Sequence, residues 1–238
     1  MQGNNDFKVF KETKSWFFKP DSSVLFKEKI DLRLSEEFKE TFPELTSIVE
    51  KSRITFLEID GEEHLLFAWN NKDDQICGWL NKIENSESFS CEPIAEHELM
   101  LRNIGGVVES FNQPEVWLGN NQNFMFLGSE CFRGIGGWEE YYSMLCEEGN
   151  YEQIDYTRFL TFVEEANGGM TMYDTFTKKV MIFSHDHRFT NVDFMEKQPE
   201  YTFHTIQGVE TFIDYVEEVA AQWKVNLIES DGVKVLGI

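Results

Sequence analysis

Apolar residues recur along this chain at two spacings, and the switches between them divide it into helices and strands. Residues 35–50 follow a helical pattern that is interrupted or restarted at Pro43, whose missing N–H cannot continue a helical ladder. Residues 54–69 form two β-rich runs around Asp60-Gly61, a strong hairpin signal. Polar stretches at 70–74 and 81–90 predict loop, and mark the place for a boundary or variable insert. Residues 97–104 predict a helix closed by Gly105-Gly106, with a strand leaving over 107–111. Trp138, Tyr141, Tyr142 and Leu145 make an aromatic helical stripe, with Glu139, Glu140, Glu147 and Glu148 mostly off it.

The glycine-terminated pattern returns downstream. Tyr156, Phe159, Leu160 and Val163 stand at i, i+3, i+4 and i+7 behind Asp155, which predicts a helix ending at Gly168-Gly169. Residues 170–173 and 179–184 then pair across a turn. Val209, Phe212, Ile213, Val216, Ala220 and Trp223 define an amphipathic helix, followed by runs at 225–229 and 233–236 around Asp231-Gly232. This order predicts an α+β fold with a mainly antiparallel sheet flanked by helices. Residues 1–90 read as an N-terminal extension, a helix plus a hairpin packed on the core, and residues 91–238 as the main domain.

Charge narrows the function classes. The 238 residues hold 21 Lys+Arg against 43 Asp+Glu, a formal charge of −22. Residues 1–50 contribute only −2 of this, and the body carries −20. Nucleic acids and anionic membranes need a cationic footprint, so neither is an expected partner. A basic protein is, through electrostatic steering. The opening residues lack the charged and apolar regions of a signal peptide, and no run of about 18 apolar residues follows, so the expected location is the cytosol. Cys77, Cys91, Cys131 and Cys146 lack metal-binding spacing and read as free thiols, mostly buried.

Catalytic signatures are scarce. Phosphate-loop, nucleophile-elbow and zinc-helix motifs are absent, and Gly134-Ile135-Gly136-Gly137 lacks dinucleotide spacing, so no cofactor is expected. His185 and His187 would share one face of a strand, and with His204 or Asp193 could bind a metal for hydrolysis; the competing reading is a polar turn. Adjacent carboxylates on helices diverge rather than converge across a cleft. Their concentration matters more: residues 130–174 hold 10 acids and only Arg133 and Arg158 as cations. Glu139, Glu140, Tyr142, Glu147, Glu148 and Tyr151 are accordingly the expected partner-binding residues.

Several features in order resemble the SUKH superfamily of bacterial immunity proteins, which includes a fungal regulator of cell-wall glucan synthesis. They are the helix Leu99-Met-Leu-Arg-Asn-Ile-Gly-Gly106, strands through Trp117 and Phe124-Met-Phe126, and the step Phe162-Val-Glu-Glu-Ala-Asn-Gly-Gly169. The strand Lys179-Val-Met-Ile-Phe-Ser-His-Asp186, an aromatic strand at 201–204 and the helix Thr211-Phe-Ile-Asp-Tyr-Val-Glu-Glu218 follow. The resemblance spans a little over half the chain. It implies a helix-packed sheet, no enzymatic activity, and the binding and neutralising of a cognate toxin, often a nuclease. The fungal relative implies the alternative of a cytosolic regulatory or scaffold protein. The family carries no fixed catalytic set, so the resemblance nominates no contact residues.

Overall fold

The computed structural model describes residues 2–13, 17–19, 21–27, 32–114, 118, 122–165, 168–185, 191–224 and 227. The chain begins with α1 (Gln2–Glu12), β1 (Val24–Phe26), α2 (Glu36–Thr41) and α3 (Pro43–Lys51). The Ser35 hydroxyl caps α2 by accepting from the Phe38 N–H, and Pro43 opens α3, where its missing donor costs nothing. Next come β2 (Arg53–Ile59), β3 (Glu62–Asn70), β4 (Ile76–Lys82), α4 (Ala95–Ile104) and β5 (Gly106–Phe111). Asp60 and Gly61 both take positive φ, 51° and 86°, as a two-residue hairpin turn requires. Gly105, at φ 73°, closes α4 as expected.

The remainder is β6 (Gln122–Met125), β7 (Phe132–Arg133), α5 (Glu139–Gly149), β8 (Phe159–Glu165), β9 (Met170–Asp174), β10 (Val180–Phe183), β11 (Val192–Phe194), β12 (Phe203–Ile206) and α6 (Phe212–Lys224). All strand pairs are antiparallel, in the order β1-β2-β3-β4-β5-β6-β8-β9-β10-β12-β11, with β7 paired to β8 off that path. The α+β class is therefore as expected. The sheet narrows at β5–β6, where the register holds a single pair, Val107 with Met125.

Two elements differ from the sequence reading. The polar stretches predicted as loop flank β4, a central strand whose Trp79 and Leu80 are buried on opposite faces. The helix predicted from Tyr156 is instead a 3-10 turn, capped by Asp155, that leads into β8. In β8, Phe159 packs on one face, Leu160 and Phe162 on the other, and a register shift between Thr161 and Val163 adds Val163 to the second group. A strand covered on both sides loses the alternation of apolar and polar residues, and the apolar positions of this run matched a helical spacing by accident. The runs at 225–229 and 233–236 lie outside the described residues, except Leu227, which bridges Asn71.

One sheet face is covered continuously. Phe38, Phe42 and Ile48 from α2 and α3, Met100 from α4, and Val216 and Trp223 from α6 share a core with Phe67, Trp79, Phe162 and Tyr173. Trp223 meets Trp69 and Trp79 edge-on, each at 5.4 Å. Glu217 of α6 accepts from the Glu44 and Leu45 N–H groups at the start of α3, and Lys224 pairs with Glu44 at 2.6 Å. The residue-90 division thus runs through a shared core.

His97 sits fully buried in that core. A carbonyl can only accept, so Nε2–H donates to the Phe126 oxygen at 2.8 Å; Nδ1 then accepts from the Tyr173 hydroxyl at 3.2 Å, which accepts from the Ile94 N–H. Burial lowers the His97 pKa to about 4. The opposite sheet face is covered in two separate patches, by α1 over Leu57, Leu66 and Leu80 and by α5 over Phe159, Met172 and Phe203.

Candidate interaction surface

Helix α5 is positioned by its buried side. Tyr142 and Cys146, one turn apart, face the sheet, and Tyr142 meets Phe203 edge-on at 5.2 Å. The Tyr142 hydroxyl accepts from the Ile154 N–H at 2.8 Å and donates to Gln198, whose amide donates to the Glu152 carbonyl. Its phenol is pushed well above the usual range, with burial the main cause. This corrects the expectation for Tyr142: it is 0% exposed and anchors the helix and the loop behind it, so it is not a partner contact.

The opposite side of α5 faces solvent. Glu140, Met144, Glu147 and Glu148, at i, i+4, i+7 and i+8, share one exposed stripe. Tyr151, 41% exposed, follows the helix on another side: its ring lies against Gly149, which falls on the Tyr142 and Cys146 side of α5, and a Cβ there would stand 2.2 Å from it. Asn150 takes a left-handed conformation, φ 52°, and the Tyr151 N–H returns to the Cys146 carbonyl at 2.9 Å. Glu139 is half-buried beside the Gly134 turn. Met144, 47% exposed, was not among the expected residues. The sequence signal was its place off the aromatic stripe, one turn from Glu140 and Glu148.

Charge on this stripe is not neutralised locally. Among the described residues none of the four α5 carboxylates has an ion-pair partner, and both nearby arginines are committed elsewhere. Arg158 binds the buried Asp174 carboxylate, and Arg133 donates to the Arg158 carbonyl and the Thr175 hydroxyl. Glu139 and Glu140 sit at the helix N-terminus, where negative charge is favoured. Glu147 and Glu148 sit in the last turn, which has no basic residue, against the negative end of the helix dipole.

The other candidates separate. The His185 ring stacks on Trp138 at 3.9 Å and 19°, while His187 lies outside the described residues. His204 is buried and donates from Nδ1 to the Thr202 carbonyl; Asp193 accepts from Gln207. Among the described residues no three His, Cys, Asp or Glu side chains are placed to hold a metal ion. The glycines at 134, 136 and 137 all take positive φ in the turn that feeds α5, and a Cβ on Gly136 would press on Phe132 and Met170 at 3.0 Å. Cys77, Cys131 and Cys146 are buried free thiols and Cys91 is partly exposed; burial raises the Cys77 pKa to about 12 and Cys131 well above its usual value.

No helix among the described residues is long and apolar enough to cross a membrane. No protein-family model, no curated protein and no solved structure matches the chain. Of the features behind the SUKH resemblance, α4 with its glycine step, β10 and α6 are present, and the aromatic strand lies at Phe203–Ile206 rather than at 201–204. Trp117 lies outside the described residues, and the second helix–glycine step is strand β8.

Proposed function

We propose that this chain is a non-enzymatic, acidic binding protein of the immunity type, which neutralises a basic, nuclease-type toxin by covering its phosphate-binding surface. The observation that carries the reading is the α5 stripe: three exposed, unpaired carboxylates, Glu140, Glu147 and Glu148, around the exposed Met144. An apolar centre with a charged rim is the anatomy of a protein contact. A nuclease presents cations to bind phosphates, and the same cations would meet Glu140, Glu147 and Glu148. The cost of placing Glu147 and Glu148 at the wrong end of the helix dipole is relieved when a cation docks there. The SUKH resemblance supports the same reading.

The test is capture by the tagged chain from its source cells at low and high salt, followed by a nuclease assay on whatever is retained. A basic nuclease that the chain inhibits, with inhibition lost in Glu140→Lys/Glu147→Lys/Glu148→Lys, supports the proposal. Inhibition unchanged by that triple variant removes α5 as the contact, and retention of no nuclease overturns the immunity reading.

A further inference from the structure

We propose that the outer edge of β1 is a docking surface for a second copy of this chain, joined by strand pairing about a two-fold axis. Among the described residues β1 ends the strand order, so one of its sides is unpaired within the sheet. Leu25 stands opposite Glu58, the Lys27 N–H donates to the Phe56 carbonyl, and the Asp60 N–H donates to the Ser23 carbonyl, both at 3.0 Å. The amides and carbonyls of residues 23, 25 and 27 therefore turn toward β2, and those of Val24 and Phe26 turn outward. Natural edges are blunted by short length, proline, bulges or free lysines, and within β1 only the first of these, its three residues, applies. Here the strand reads Val-Leu-Phe, with Leu25 57% and Phe26 47% exposed, and Lys27 is already paired with Glu58.

Charge and symmetry select a second copy as the occupant. The body's charge of −20 would keep two copies apart on most approaches, but near β1 three ion pairs hold charge neutral, Asp6 with Arg53, Lys8 with Glu12 and Lys27 with Glu58. An antiparallel pairing centred on Leu25 sets Val24 of each copy opposite Phe26 of the other and satisfies all the outward groups of both strands. Leu25 then meets its own counterpart as a non-hydrogen-bonded pair, Cα atoms about 4.5 Å apart. Lys27 arrives beside Ser23 of the second copy, whose N–H and hydroxyl donate to Asp60, so a cation meets a carboxylate at each end of the seam. Phe26, which packs edge-on against Phe7 at 5.6 Å, continues that apolar face onto Val24 of the second copy. The α5 stripe lies over the other half of the sheet and stays free.

Sedimentation equilibrium of the full chain over a wide concentration range tests this. A dimer is expected, weakened at least tenfold by Leu25→Lys, with the far-UV spectrum unchanged because the Leu25 side chain is mostly exposed and belongs to none of the buried clusters. Leu25→Cys in a Cys91→Ser background should form an interchain disulfide on mild oxidation, and Glu58→Cys, one strand inward, should not. A chain that stays monomeric throughout, or a dimer indifferent to Leu25→Lys, overturns the proposal. So does a monomer whose β1 edge instead binds an extended segment of a different protein.

Discussion

Helices α1 and α5 do the same architectural work and treat charge in opposite ways. Each covers one patch of the same sheet face with about three turns. In α1 the charges are used up: Asp6, 1% exposed, takes two hydrogen bonds from the Arg53 guanidinium at 3.0 and 2.8 Å, Lys8 pairs with Glu12, and Lys11 lies over the Phe18 ring. In α5 they are left open, and the buried polar anchor is the neutral Tyr142. A helix held down by a neutral group keeps its exposed face available for carboxylates alone. A helix held down by an ion pair has already spent an anion inward.

Breaking the two anchors is the strongest way to test this contrast. Tyr142→Ala should cost about 4 kcal/mol in urea unfolding, because it opens a cavity against Phe203 and strands the Ile154 N–H and Gln198. Asp6→Ala should cost about 3 kcal/mol by leaving a half-buried arginine without its partner, with hydrogen exchange accelerating in α1 and β2 rather than in α5. Loss of less than about 1 kcal/mol in either variant would mean that the helix is held by its apolar contacts alone.

Acid sharpens the comparison next. The folded chain keeps His97 neutral to pH about 4, whereas an unfolded histidine takes up its proton near 6.5. Stability is therefore full above pH 6.5 and falls as pH drops toward 4, by about 3 kcal/mol from this group. His64 adds a loss of the same sign on the α1 side, its pKa lowered chiefly by burial, with the Phe17 ring 5.5 Å away. His204, on β12 beside Phe203, adds a third loss for the same reason, so urea midpoints should fall in both halves of the sheet as pH drops from 6.5 toward 4; midpoints that do not move over this range would refute the assignment.

The smallest effect has the most informative sign. Glu147→Lys should stabilise the isolated chain by about 0.5 kcal/mol, because a cation suits a helix C-terminus, while it weakens partner capture. Thermal unfolding checks the first effect and association kinetics the second. A destabilised Glu147→Lys would show that this carboxylate has a role in the fold.

Sequence patterning located most of the local structure because its signals were chemical. Asp60-Gly61, Ser35, Pro43 and Gly105 each act through their own backbone or side chain, and each is found doing so. β8 was misread because periodicity records only where apolar residues fall, and burial on both faces erases the alternation that marks a strand. β4 was hidden by polar neighbours on both sides of a short run, and Gly78 within it is there for contact: a Cβ would stand 1.9 Å from the Phe67 carbonyl oxygen. The acidic stripe was legible from charge and spacing. Tyr142 was not separable from it, since its partners at Ile154 and Gln198 come together only in the folded chain.

The narrow join between β5 and β6 also bears on how the protein is made. The first half of the sheet cannot finish its own core: Trp69 and Trp79 await Trp223, and α3 awaits Glu217 and Lys224, its neighbours across more than two-thirds of the chain. On the ribosome, strands β2–β5 therefore emerge with an open apolar face that stays open until α6 has been synthesised. A stop codon anywhere before Trp223 yields a product whose Trp69 and Trp79 have lost the ring that closes over them.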